Sequence, residues 1–99
     1  MNIKDIDQLK KEGKRLSIVS HPLRLMILDY IRKNEPVFVS QIYKDLKLEQ
    51  SVTSSQLGYL RKADLLKTLR EGKKVYYSIN RENLSSLLEG VKKYFSKSK

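Results

Sequence analysis

The sequence predicts a mainly α-helical domain carrying one small β-hairpin, and three patterns lead there. Apolar residues recur at helical spacing through Leu23, Met26, Ile27, Tyr30 and Ile31, and again through Leu84, Leu87, Leu88, Val91, Tyr94 and Phe95. Between these stripes lies QSVTSSQLGYLRKADLL, Gln50 to Leu66, a helical segment whose polar face is small and rich in serine. It runs at once into KTLREGKKVYYSIN; across the junction, Leu65 to Leu69 and then Val75 to Ile79 alternate as strands around Arg70-Glu71-Gly72-Lys73. About five helices and a two- to three-stranded sheet are expected.

The first helix is marked by Ile3, Ile6, Leu9, Leu16 and Val19, with Lys and Asp between them and Gly13 as a weak point. Its apolar stripe is narrow, which suits a partner helix. Ser20-His21-Pro22 starts the second: Ser20 is expected to cap it, and Pro22 is tolerated in a first turn whose N–H groups lack partners anyway. Leu25 and Leu28 widen the second helix's apolar arc, which predicts burial on more than one side and a central place in the core. Asn34 is expected to end it in a left-handed conformation, and Pro36 disfavours helix at Glu35.

Val37-Phe38-Val39 reads as a short extended run, after which Ser40 is expected to cap a brief third helix with Ile42, Tyr43 and Leu46 as its contacts. Lys47-Leu48-Glu49 is the turn. The fourth helix runs from about Glu49 to Ala63, with Thr53, Leu57 and Leu60 on one face and Gln50, Ser51, Ser54, Ser55, Gly58, Arg61 and Lys62 around the other. Gly72 supplies the positive φ that a tight hairpin turn requires. Asn80 caps a last helix whose stripe continues to Phe95, longer than so small a domain needs for itself.

Ninety-nine residues, 39% apolar and 32% charged, make a single domain over residues 1–99 with one modest core and no low-complexity linker. The apolar stretches are too short for a membrane span, and charges at Lys4, Asp5 and Asp7 do not fit a signal peptide, so a cytoplasmic protein is expected. With no cysteine there are no disulfides, thiolate metal sites or thiol switches. His21 is the only histidine and reads as a helix-start residue, so no metal or other cofactor is expected. No nucleophile-base pair, Gly-rich phosphate loop or distinctive carboxylate pair is present, which argues against an enzyme.

The net charge of +10 points to a polyanionic partner. It is spread along the chain: five basic against three acidic residues in 1–20 and in 21–48, six against three in 49–80, five against two in 81–99. Local pattern therefore has to identify the partner. A helix entering the DNA major groove needs short side chains that let its backbone approach the base edges, and a few that pair with them. Ser51, Ser54, Ser55 and Gly58 give closeness and Gln50 can read adenine. Gly58, which costs a helix interior roughly 1 kcal/mol against Ala, hints at something passing close by. Arg61, Lys62, Arg70, Lys73 and Lys74 are placed to hold phosphates from the helix end and the hairpin tip. Such a helix followed by a basic hairpin is the arrangement of a winged helix-turn-helix that binds double-stranded DNA. A protein-interaction module would favour exposed aromatics on the same helix, where only Tyr59 qualifies. An RNA-binding module would favour stacking platforms, for which Tyr76 and Tyr77 are the candidates.

From about Leu16 to Phe95 the chain resembles the ArsR/SmtB family of winged-helix transcriptional repressors. The resemblance is carried by LSIVSHPLRLMILDYI at Leu16 to Ile31, the segment QSVTSSQLGYLRKADLL, and REGKKVYYSIN at Arg70 to Asn80. It implies a homodimer joined by the first and last helices, residues 1–19 and 81–97, with each fourth helix in successive major grooves of a near-palindromic operator. Ile6, Leu9, Leu84, Leu88, Val91 and Phe95 are the expected dimerisation residues. Metal-responsive members are similar in carrying Cys-Val-Cys at the start of the third helix, where this chain has Phe38, Val39 and Ser40. Others bind zinc through His and Asp on the last helix, and residues 81–99 contain no histidine. Asp64 stands where the family usually has a turn glycine, a position at which Asp tolerates left-handed geometry. The resemblance thus implies a repressor without the family's metal sites, and leaves its effector unnamed.

Overall fold

The computed structural model describes the backbone of residues 3–96 and the side-chain surroundings of residues 10, 11 and 13–89. Its elements follow in the order α1 (Ile3–Val19), α2 (Pro22–Asn34), β1 (Val37–Phe38), α3 (Val39–Leu46), α4 (Gln50–Lys62), β2 (Leu66–Glu71), β3 (Lys74–Ile79) and α5 (Arg81–Ser96). This is a mainly helical winged helix-turn-helix architecture. Ile27 and Ile31 of α2, Ile42 of α3 and Leu57 and Leu60 of α4 form its core with Val37, Leu65, Ile79 and Leu87, all fully or almost fully buried. The helix-spaced apolar stripes thus converge on one centre.

On α2 the expected arc is too wide. Leu25 and Met26 are 49% and 42% exposed, while Leu28 is buried. The covering elements all lie along the Ile27–Leu28–Ile31 stripe. The helix ends also differ from expectation. His21, in an extended conformation, caps α2 by accepting the Leu23 N–H on Nδ1, whereas the Ser20 hydroxyl donates back to the Ser17 carbonyl and closes α1. Asn34 remains helical, its side-chain amide donating to the Tyr30 carbonyl, and the helix stops at extended Glu35, before the cis Glu35–Pro36 peptide. Val39 is the first residue of α3 and Phe38 occupies the position expected of Ser40. Phe38 has no side-chain oxygen to offer; instead Gln41 accepts the Phe38 N–H, the returning half of a capping box.

Both helices of the helix-turn-helix pair stop in the same way. After α3, Lys47 turns to φ 56°, with Lys47 N–H donating to Lys44 and Leu48 N–H to Tyr43. After α4, Asp64 turns to φ 57°, with Asp64 N–H donating to Arg61 and Leu65 N–H to Leu60. These paired bonds are the Schellman arrangement, which satisfies carbonyls a helix end leaves open. Leu60 and Leu65, both at 0% exposure, supply its apolar contact. Thr53 is buried yet satisfied, its hydroxyl donating to the Glu49 carbonyl at 3.0 Å.

The sheet is antiparallel in the order β1-β3-β2. Its hairpin strands reach closer to the turn than the alternation suggested, leaving only Gly72 and Lys73 between Glu71 and Lys74. Gly72 has φ 61° and Lys73 is not in the positive region, the pattern of a turn that matches strand twist by placing Gly first. Glu35 fastens this sheet to α2: one carboxylate oxygen accepts the Ile79 N–H at 3.1 Å and the other accepts from Arg81 at 2.6 Å. The Asn80 side chain accepts the Asn83 N–H and starts α5 as expected.

Candidate nucleic-acid interface

Helix α4 is amphipathic in the sense the candidate site requires. Thr53, Leu57 and Leu60 are buried against the core, while Gln50, Ser51, Ser54, Ser55, Arg61 and Lys62 are exposed and Gly58 is half-buried. At 3.6 residues per turn, Ser51, Ser55, Gly58 and Lys62 share an arc of roughly 60°, with Ser54 beside it. A Cβ built on Gly58 would meet nothing within 4 Å. Among the described residues the fold thus gives no steric reason for a glycine at this position.

The orientation of α4 is fixed by three side chains that the pattern reading left out. Arg15 donates from Nε to the Ala63 carbonyl at 3.0 Å, and Asn83 donates to the Asp64 carbonyl at 2.7 Å, so α1 and α5 both grip the C-terminal end of α4. A cation there also opposes the negative end of the helix dipole. Arg24 grips the flank: its Nε donates to Gln56 Oε1 at 2.7 Å, its guanidinium lies 4.2 Å from the centre of the Tyr59 ring, and its Nη1 donates to the Ile18 carbonyl at 3.3 Å. The sequence holds a signal for Arg24. It sits three, four and seven residues before Ile27, Leu28 and Ile31, a charged residue on the buried stripe of α2, where a partner is required.

The wing divides the tip cations. Residues directly opposite in an antiparallel pair share a sheet face, and faces alternate along a strand. Leu66 and Ile79 are paired and buried, so Thr68, Tyr77, Arg70 and Val75 follow on the face that carries the core. Leu69, Tyr76 and Phe38 lie on the other, with Lys74, Glu71 and Lys67. There the Phe38 and Tyr76 rings meet edge-on at 5.7 Å, and the Lys74 ammonium stands 4.5 Å from the centre of the Phe38 ring. Arg70 and Lys74 therefore face opposite sides of the ribbon, and Lys73 occupies the turn. All three are exposed.

Of the expected dimerisation residues, Ile6, Leu9, Val91 and Phe95 lie outside the described side chains. Leu84 packs partly on the domain's own core, contrary to the expectation that it has no partner there. Leu88 is 54% exposed, as is 44% of Leu16 on α1. Among the described residues no group of three or more His, Cys, Asp or Glu is placed to hold a metal ion, and no helix is long and apolar enough to cross a membrane.

Residues 21–68 match the model of the bacterial regulatory proteins of the arsR family. The chain is 35% identical over 81 residues to the transcriptional repressor PagR of Bacillus anthracis, covering 82% of this chain and 81% of that one. The crystal structure of PagR superposes with a TM-score of 0.70, covering 81% of this chain and 93% of PagR. The biofilm growth-associated repressor of Agrobacterium fabrum is 32% identical over 76 residues, 77% of this chain and 64% of its own length. The fold alone is shared with the homodimeric winged helix-turn-helix domain Mb0332 of Mycobacterium bovis, at a TM-score of 0.77 and 21% identity over 99% of this chain and 90% of that one. With the matched segment spanning the helix-turn-helix pair and PagR 35% identical over 82% of the chain, this chain belongs to the ArsR family of regulatory proteins.

Proposed function

We propose that this protein is a sequence-specific, DNA-binding repressor of transcription that works in the cytoplasm as a homodimer and occludes a promoter by occupying a near-palindromic operator. The observation that carries the reading is the exposed, small-residue stripe of α4, opposite its buried face and followed after three residues by the basic hairpin. Gln50, Ser51, Ser54 and Ser55 read base edges; Gly58 lets the backbone approach; Arg61, Lys62, Arg70 and Lys73 hold phosphates, with Lys74 reaching the same strand only from the outer sheet face. The names of PagR and the Agrobacterium protein, both repressors, support the direction of control. The exposed apolar side chains of Leu16 and Leu88 support pairing through α1 and α5. The sequence has no cysteine and one histidine, which supports a repressor without the family's usual metal sites.

Selection from a random duplex pool, with an RNA competitor present, tests this reading. An inverted repeat with half-sites about one helical turn apart is the expected product. Recovery of no preferred duplex, or preference for the RNA, would overturn it.

A further inference from the structure

Packing of Thr53, Leu57 and Leu60 holds the face of α4 that meets the core, but hydrophobic contact is non-directional and leaves the flanks of the helix unbound. The groove-facing stripe is sensitive to turning. Side chains reach about 5 Å from a helix axis, so a rotation of 20° displaces their tips by roughly 1.7 Å, several times the roughly 0.5 Å window within which hydrogen bonds form well. Arg15 and Asn83 bond backbone carbonyls just past the C-terminal end of α4; a directional bond to a side chain on its flank has more leverage on its angle about its own axis.

We infer that Arg24 does this, as a positioning residue that sets sequence preference without touching the duplex; the inference rests on the DNA-reading role proposed for α4. Its guanidinium holds α4 at two points one turn apart on the same flank, Gln56 by a hydrogen bond of 2.7 Å and Tyr59 by a ring contact of 4.2 Å. Gln56 and Tyr59 lie between the buried Thr53–Leu57–Leu60 stripe and the exposed serine stripe, where a sideways grip opposes rotation. The same guanidinium donates to Ile18, in the last turn of α1, and thereby references α4 to α1 as well as α2. A planar fork of donors can hold three such partners at fixed angles; a lysine ammonium cannot.

The experiment compares the full chain with Arg24→Lys and Gln56→Ala. Each variant is titrated with the pool-selected duplex and with a scrambled duplex over a range of salt, and its melting is followed by circular dichroism. Both variants are expected to lose about tenfold of the ratio between selected and scrambled affinity, the scale of one base contact. Affinity for the scrambled duplex, the salt slope and cooperative melting are expected to stay as in the parent. An undiminished ratio in Arg24→Lys overturns the inference. So does a loss of affinity for the scrambled duplex that matches the loss for the selected one, because Arg24 would then hold phosphate rather than α4. Should Arg24→Lys fail to melt cooperatively, Gln56→Ala decides alone, and a full ratio there overturns the inference too. If the parent itself selects no duplex, the reading of α4 fails; if the parent selects and both variants select equally well, only the clamp does.

Discussion

Lys74 holds its ammonium 4.5 Å from the centre of the Phe38 ring, on the sheet face opposite the one that carries Arg70. The two cations nearest the hairpin tip on their strands are thus committed to different sides. Arg70→Gln is expected to lower the slope of log affinity against log salt by about one unit, as the loss of a phosphate contact does. Lys74→Gln is expected to lower it by distinctly less, because the ammonium is already engaged with an aromatic face. Equal slopes for the two variants would place both at the duplex and discard the division of the wing.

Gln50 is the exposed first residue of α4, on the far side of Ser54 from the small-residue arc. Gln50→Ala should cost roughly 1–3 kcal/mol at the selected duplex and relax preference at one base position. Repeating the pool selection with the variant checks this. An unchanged consensus removes Gln50 from the reading set.

Lys47, exposed between the two helices, adopts φ 56°. Left-handed backbone costs a non-glycine residue about 1–2 kcal/mol, while glycine's extra freedom in the unfolded chain costs about 0.5–1 kcal/mol. Lys47→Gly is therefore expected to stabilise the domain by up to about 1 kcal/mol, read as a higher urea midpoint at unchanged slope. A lower midpoint would mean that the side chain contributes something its surroundings do not reveal.

Tyr30 donates its hydroxyl to the Asp45 carboxylate and joins α2 to α3. Burial, then the Asp45 carboxylate, pushes its pKa from 10.0 up to about 12. The folded chain therefore retains a proton that the unfolded chain releases, so this contribution to stability is complete below pH 10 and is lost as pH rises through about 12. Urea midpoints measured from pH 9 to 12 should fall less steeply in Tyr30→Phe than in the parent. Parallel curves would refute the linkage.

Leu88 leaves 54% of its surface exposed on α5, whereas its neighbour Leu87 is buried at 2%. Leu88→Glu is expected to sediment as a folded monomer where the parent sediments as a dimer, and Leu87→Ala to destabilise the fold itself by about 2–5 kcal/mol. A Leu88→Glu protein that stays dimeric would move the pairing surface elsewhere.

Much of this architecture was legible because the relevant forces are local or periodic. The spacing of Thr53, Leu57 and Leu60 located the buried face of α4, and its complement located the serine stripe. Gly72 and Asn80 announced a turn and a cap through their own backbone preferences. The errors occurred where a competing partner or an uncovered face outweighed what a residue's type suggests. Ser20 is a good cap by type, but its hydroxyl found the Ser17 carbonyl while His21 reached Leu23. Phe38 is a poor cap by type and serves because Gln41 accepts its N–H and β3 pairs with it. Leu25 looked like core because apolarity predicts burial only where another element covers the residue. The grip of Arg24 on Gln56 spans 32 residues, and the split of Arg70 from Lys74 depends on register. Neither is a property of any short window.

The two residues of β1 pair with β3 across a stretch that contains both α3 and α4. That pairing turns the backbone from Val37 to Tyr77 into a hoop, closed by main-chain hydrogen bonds at its base and holding the helix pair at its crown. A hoop does not come undone from one side. Helix α4, its supporting helix and the ribbon should accordingly lose order together when the clasp opens, so the surface they form jointly exists only in the fully folded chain.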